Sequence, residues 1–283
     1  VLAGELLGEA FDPGISEARD SLSFPFFLRE GLARVERLKF MGLQEGAEWE
    51  VQALAARLRT DGEKERRQNN LLRLAGELNA RGFTREGINL GWELRRDGRS
   101  WDRDLLAAIY PFPYRGILIQ EARDRDADPF LMAGLIRQES AFWLEALSRA
   151  DARGLMQVLP ATGRELARAR GISGFQADVH LYVAEINIHL GVAFFVDMRR
   201  RFGNDLPIIL SAYNAGPTRA NRWKEYPEAG DWPRFVERIP FDETRGYVKN
   251  VTANRAIYTW LYGEGSPTSA GPVGSGNPPT VTR

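Results

Sequence analysis

Glu139 follows Met132, Leu135 and Ile136 by seven, four and three residues, which puts all four on one face of a helix. A carboxyl on an apolar face loses hydration when it ionises, so its pKa rises and it can hold a proton near neutral pH. That is the property a general acid needs to protonate the leaving oxygen of a glycosidic bond. The helix alone leaves another reading open, in which Glu139 reaches solvent at the helix end or pairs with an arginine. Other reaction types are poorly supplied. The chain has no cysteine and only two histidines, His180 and His189, nine apart in an apolar helical run. Thiol nucleophiles and thiolate metal sites are therefore excluded, and the histidines are expected to be structural. No metal site and no organic cofactor are implied.

The surroundings of Glu139 narrow the choice. The chain reads RQESAF at 137–142, ALSRADARGLMQVLPAT at 146–162, SAYNAG at 211–216 and IPFDETRGYV at 239–248. These four blocks, in this order, resemble the catalytic domain of the soluble lytic transglycosylases, a lysozyme-like family related to goose-type lysozyme. The resemblance covers about residues 110–262. It implies that Glu139 is the acid/base and that Ser148 hydrogen-bonds its carboxyl or the neighbouring sugar. It also implies that Met156 and Gln157 line the cleft, that Tyr213 and Asn214 are its aromatic and polar wall, and that Glu243 and Tyr247 lie near its floor. Taken singly, several of these have plain alternatives. Met156 reads as core, Asn214 to Pro217 as a helix end, and Glu243 as a first-turn acid favoured by the helix dipole. Leu147 and Gly163 depart from the family pattern, which more often has a basic residue and an alanine there.

The activity so implied is cleavage of the β-1,4 bond between N-acetylmuramic acid and N-acetylglucosamine in peptidoglycan. The muramic acid's own hydroxyl closes on the anomeric carbon, leaving a 1,6-anhydro end. A lysozyme-like hydrolase of the same bond and a non-catalytic peptidoglycan-binding scaffold are the alternatives. The implied partners are peptidoglycan strands in the bacterial periplasm or cell envelope, with the N-terminal helices available to cell-wall proteins.

The elements that must position these residues are helical. Apolar positions recur at three and four in Val51, Leu54, Ala55 and Leu58, and in Leu71, Leu74, Ala75 and Leu78. Leu38 to Leu43 and Leu78 to Phe83 are weakly alike, which fits either a helical-pair solenoid or two ordinary hairpins. YPFPYRG at 110–116 breaks the pattern and is the expected domain boundary. Beyond it, helices are expected from Asp128-Pro129, after Pro160 with Thr162 and Glu165 at capping-box spacing, from about Leu181 to Met198, from Asp205 to Tyr213 and from about Arg245 to Leu261. Few period-two runs occur. The expectation is an all-α chain: a helical-hairpin or superhelical region over 1–109, a lysozyme-like domain over 110–262 with at most a minor sheet, and a disordered Gly/Ser/Pro tail over 263–283.

The totals are compatible with this. At 283 residues and 43% apolar composition, the chain can bury a large core. Lys plus Arg equals Asp plus Glu, 38 each, which gives no reason to expect nucleic acid. No apolar run approaches membrane-span length. The opening VLAGELLGEA reads as the start of a fragment inside a larger helical region, so an export signal or anchor would lie outside it.

Overall fold

The computed structural model describes residues 25–263. The expected tail over 263–283 and the first part of the N-terminal region fall almost wholly outside these residues. Among the described residues there are fourteen helices and no sheet, only two isolated bridges, Leu147 with Arg153 and Arg153 with Val158.

The first five helices are α1 (Phe26–Phe40), α2 (Gln44–Arg59), α3 (Lys64–Ala80), α4 (Thr84–Arg96) and α5 (Arg103–Ile109). α1 with α2 and α3 with α4 form two hairpins packed side by side. Their likeness in sequence is one turn type used twice. Leu43 N–H donates to Leu38 O and Phe83 N–H to Leu78 O, both at 2.9 Å, around left-handed glycines. The recurring leucines close a buried apolar cluster that includes Leu28, Val51, Leu74, Leu78 and Ile109.

A second cluster is built by α6 (Arg115–Asp124), α7 (Pro129–Glu139), α8 (Pro160–Ala169), α9 (Ala177–His180), α10 (Ala184–Phe202), α11 (Leu206–Ala215), α12 (Pro217–Trp223), α13 (Trp232–Arg238) and α14 (Asp242–Tyr262). Three helix starts differ from expectation. α8 begins at Pro160 itself, so Thr162 lies inside the first turn and forms no capping box. α10 begins at Ala184, because residues 181–183 are spent on a turn, and α14 begins at Asp242, placing Glu243 in its first turn. Tyr110 packs against both clusters. The end of α14 is tied back across the 110–116 break: Arg103 donates to Leu261 O at 2.7 Å and Tyr262 O–H to Tyr110 O at 2.8 Å.

Both histidines have structural partners. His180 accepts from Gln176 N–H at 2.8 Å, and His189 lies 3.2 Å from Glu121. No described helix is long and apolar enough to cross a membrane.

Candidate active site

Glu139 is the last residue of α7, and the helix is held in register along α14 at three heights. At its start, Asp128 Oδ1 accepts from Phe130 and Leu131 N–H, an N-cap that contributes about 1 kcal/mol. The other oxygen of Asp128 pairs with Arg255 of α14 at 2.6 Å. In the middle, Asn254 of α14 donates to Gly134 O at 3.1 Å. A Cβ on Gly134 would stand 2.9 Å from Arg255 N and 3.1 Å from Val251 O, so the two backbones approach as only glycine permits. At the far end, Tyr247 O–H donates to Glu139 Oε1 at 2.7 Å. Met132, Leu135 and Ile136, on the same face as Glu139, are fully buried.

This setting determines how Glu139 ionises. Burial raises the Glu139 pKa from its ordinary 4.5 to about 7; the Tyr247 hydroxyl opposes the shift and the Glu243 carboxylate adds to it. The phenol of Tyr247 is pushed well above its usual range, first by burial and then by the Glu139 charge, so it stays a donor. Tyr213 of α11 is raised in the same way, again by burial and then by Glu139. Its hydroxyl donates to Met156 O at 2.8 Å. A carboxyl with a pKa near 7 and a fixed hydroxyl donor can release a proton and then take one back.

The chain after Glu139 is bent sharply into a loop. Ser140 ends α7, and its hydroxyl donates to Leu155 O at 2.8 Å, joining the first motif to the second. Ala141 and Phe142 follow in the left-handed region at φ 51° and 63°, a conformation unusual for residues with a Cβ. The GLMQ segment is moored on the other side by Asn187, which is fully buried in α10. Asn187 accepts from Met156 N–H at 2.8 Å and donates to Arg153 O at 2.9 Å and Leu181 O at 2.7 Å. Gly154, at φ 72°, lies so close to Asn187 that a Cβ would stand 2.3 Å from its amide nitrogen.

The structure gathers Glu139, Tyr213, Glu243 and Tyr247 around one point but treats the other expected residues differently. Met156 is fully buried with its thioether against Gly191 of α10, so its side chain is core and only its backbone reaches the site. Ser148 makes no bond to Glu139. Its oxygen instead accepts from Ala150 and Ala152 N–H at 3.2 and 3.0 Å, because the tight loop leaves those donors without backbone partners. The Gln157 amide nitrogen is turned inward onto Ala146 O and Gly154 O. Asn214 accepts from Thr244 of α14 at 2.7 Å, which ties the third motif to the fourth. Glu243 is exposed, whereas Tyr247 is buried directly on the acid. Sequence reasoning missed Asn187, Gly134 and Thr244. The one available signal was Asn187, an amide within the apolar run of α10.

Residues 117–233 match the family model for the Transglycosylase SLT domain, and residues 238–267 match that for the Soluble lytic transglycosylase helical domain. The chain is 31% identical over 268 residues to the soluble lytic murein transglycosylase of Salmonella typhimurium and 30% identical to that of Escherichia coli K12. Each alignment covers 93% of this chain but 39% of the relative, so the chain spans about two-fifths of their length. Among solved structures, the 70 kDa soluble lytic transglycosylase of E. coli superposes with a TM-score of 0.73 at 26% identity, covering 92% of this chain and 40% of that one. An inactive Glu-to-Gln mutant of the lytic transglycosylase Slt from Pseudomonas aeruginosa gives 0.69 at 27%, covering 91% and 40%. Residues 117–233 thus carry a Transglycosylase SLT domain, and over most of its length the chain is similar to about two-fifths of each of these soluble lytic murein transglycosylases.

Proposed function

We propose that this chain cleaves the β-1,4 bond between N-acetylmuramic acid and N-acetylglucosamine in peptidoglycan, leaving 1,6-anhydromuramic acid ends. The observation that carries the reading is the Glu139–Tyr247 pair, a carboxyl poised near pH 7 and held by a hydroxyl donor. Protonated Glu139 gives its proton to the leaving oxygen. The carboxylate that remains takes the proton of the muramic acid's primary hydroxyl, which closes on the anomeric carbon. No water is consumed.

Glycosidases that use two carboxylates place both at the scissile bond. Here Glu139 is shielded and Glu243 is exposed, which supports one protein acid with the substrate's 2-acetamido group stabilising the positive anomeric centre. Tyr213 and Asn214 are read as the cleft wall and Glu243 as a sugar contact. Ser148 and Gln157 are read as shaping the second-motif loop. The same reading takes residues 25–109 as a helical scaffold and 110–262 as the catalytic domain. It also takes the cell envelope as the site of action, since the named relatives are murein transglycosylases.

Mass spectrometry of fragments released from purified peptidoglycan tests the reaction. The expected products are lighter by one water than hydrolytic fragments, and Glu139→Gln loses about 10²–10⁴-fold in rate or more. Reducing-end products would make the protein a hydrolase. Undiminished activity in Glu139→Gln would remove the acid from the mechanism.

A further inference from the structure

Trp143 stands four residues after Glu139, on the loop that the left-handed Ala141 and Phe142 turn outward. Phe142 is 3% exposed and anchors the loop in the core, while the next side chain, Trp143, is 42% exposed. The Trp143 indole is met from outside the catalytic domain. Arg85, in the first turn of α4, places its guanidinium carbon 4.8 Å from the ring centroid. Arg85 is itself exposed, and among the described residues it forms no ion pair, unlike Arg59 and Arg34, which pair with Glu93 and Glu50. An unpaired guanidinium on a half-open indole offers a charge for an anion and an apolar plane beside it.

We propose that Arg85 and Trp143 form a binding subsite for the peptide stems of the glycan strand, half of it supplied by the N-terminal helices. The inference rests on the peptidoglycan reading above. A neutral sugar ring would use the indole and leave the charge unanswered. A peptide stem carries carboxylates next to alanine methyl groups, which match both halves. The chain as a whole has no net charge to draw an acidic polymer, so a local cation must serve. Because one half belongs to α4 and the other to the loop following the acid, a bound stem would also fix the N-terminal helices against the catalytic loop.

Binding measured without turnover separates this from the catalytic reading. In a Glu139→Gln background, calorimetry with soluble peptide-bearing strands and with the same strands stripped by an amidase gives a preference ratio. Adding Arg85→Ala should lower that ratio about fivefold, the loss of one exposed charge-assisted contact. Arg85→Lys, which keeps the charge but not the planar fork, should restore part of it. Arg57→Ala, which removes a guanidinium stacked 3.9 Å over Phe27 in the first hairpin, serves as control and should leave the ratio alone. An unchanged ratio in Arg85→Ala overturns the proposal. So does an equal loss on both kinds of strand, which would make the platform a sugar contact. Whether 1,6-anhydro products form does not enter the measurement.

Discussion

The helices of the first apolar cluster and those of the second each bury polar side chains, but they use them differently. In the first region three of these groups serve helix ends. Asp102 caps α5, Gln68 reaches the end of α4 at Asp97, and Arg103 meets the last carbonyls of α14. The rest is an apolar cluster with its ion pairs outside, such as Arg34–Glu50 and Arg59–Glu93. In the second region three buried polar side chains, two of them in the first turn of their helix, hold other segments: Asn187 a loop, Asn254 a neighbouring helix, Thr244 the third motif. The first arrangement makes a stable shape and the second fixes positions. Core residues of the first region should therefore affect stability alone, whereas a residue such as Asn187 should affect both stability and the geometry of the site.

The largest test of that separation pairs two core variants. Asn187→Ala strands a buried N–H and two carbonyls, at a cost of about 3–5 kcal/mol. Leu74→Ala, in the first cluster, leaves a cavity costing about 2–5 kcal/mol. Both should lower the melting temperature by similar amounts. Well below melting, only Asn187→Ala should lose kcat, because only it releases the GLMQ loop. Equal loss of kcat in Leu74→Ala would break the comparison.

A smaller effect appears in stability against pH. The folded Glu139 holds its proton up to about pH 7, whereas the same group ordinarily releases it near 4.5. The folded state thus binds more protons across that interval, and wild-type stability falls as pH rises through it, by up to about 3 kcal/mol. Gln cannot ionise. The stability advantage of Glu139→Gln over wild type should be absent below pH 4.5 and reach its maximum above pH 7. Denaturant titrations at several pH values measure it, and a constant difference would mean that Glu139 is not shielded.

The smallest effects should be a pair of opposite shifts in the pH profile. If Glu139 acts as proposed, activity requires its protonated form and should decline as pH rises through about 7. Tyr247→Phe removes the donor that favours the carboxylate, so its decline should move to higher pH. Glu243→Gln removes the nearby charge that disfavours the carboxylate, so its decline should move to lower pH. Shifts in the same direction would contradict the electrostatics of the site.

Much of this was legible in the sequence. The face shared by Met132, Leu135, Ile136 and Glu139 points to a shielded carboxyl with a raised pKa, but helical spacing alone leaves a solvent-facing Glu139 open, and it is the motif blocks around it that favour the shielded one. Asp128-Pro129 marks the start of α7, because an N-cap and a first-turn proline are local signals. Inter-segment contacts were less accessible. Nothing at Ser148 or Gln157 says whether a polar side chain will face a ligand or satisfy its own loop, since both uses need the same groups. Met156 was placed on the cleft wall by resemblance, while its packing under α10 depends on Gly191, thirty-five residues away. The sequence puts Tyr247 only near the cleft floor, because its distance from Glu139 along the chain hides the fact that α14 runs back over α7.

The contact at Gly134 bears on how portable this site is. Since the α7 and α14 backbones touch there, the separation of Glu139 from Tyr247 is set by main-chain geometry and not by the sizes of intervening side chains. Core substitutions that leave this contact intact should therefore leave the Glu139–Tyr247 distance unchanged. Conversely, anyone grafting the acid onto another scaffold would have to carry the crossing of the two helices with it, because Glu139 copied alone would arrive without the partner that holds it.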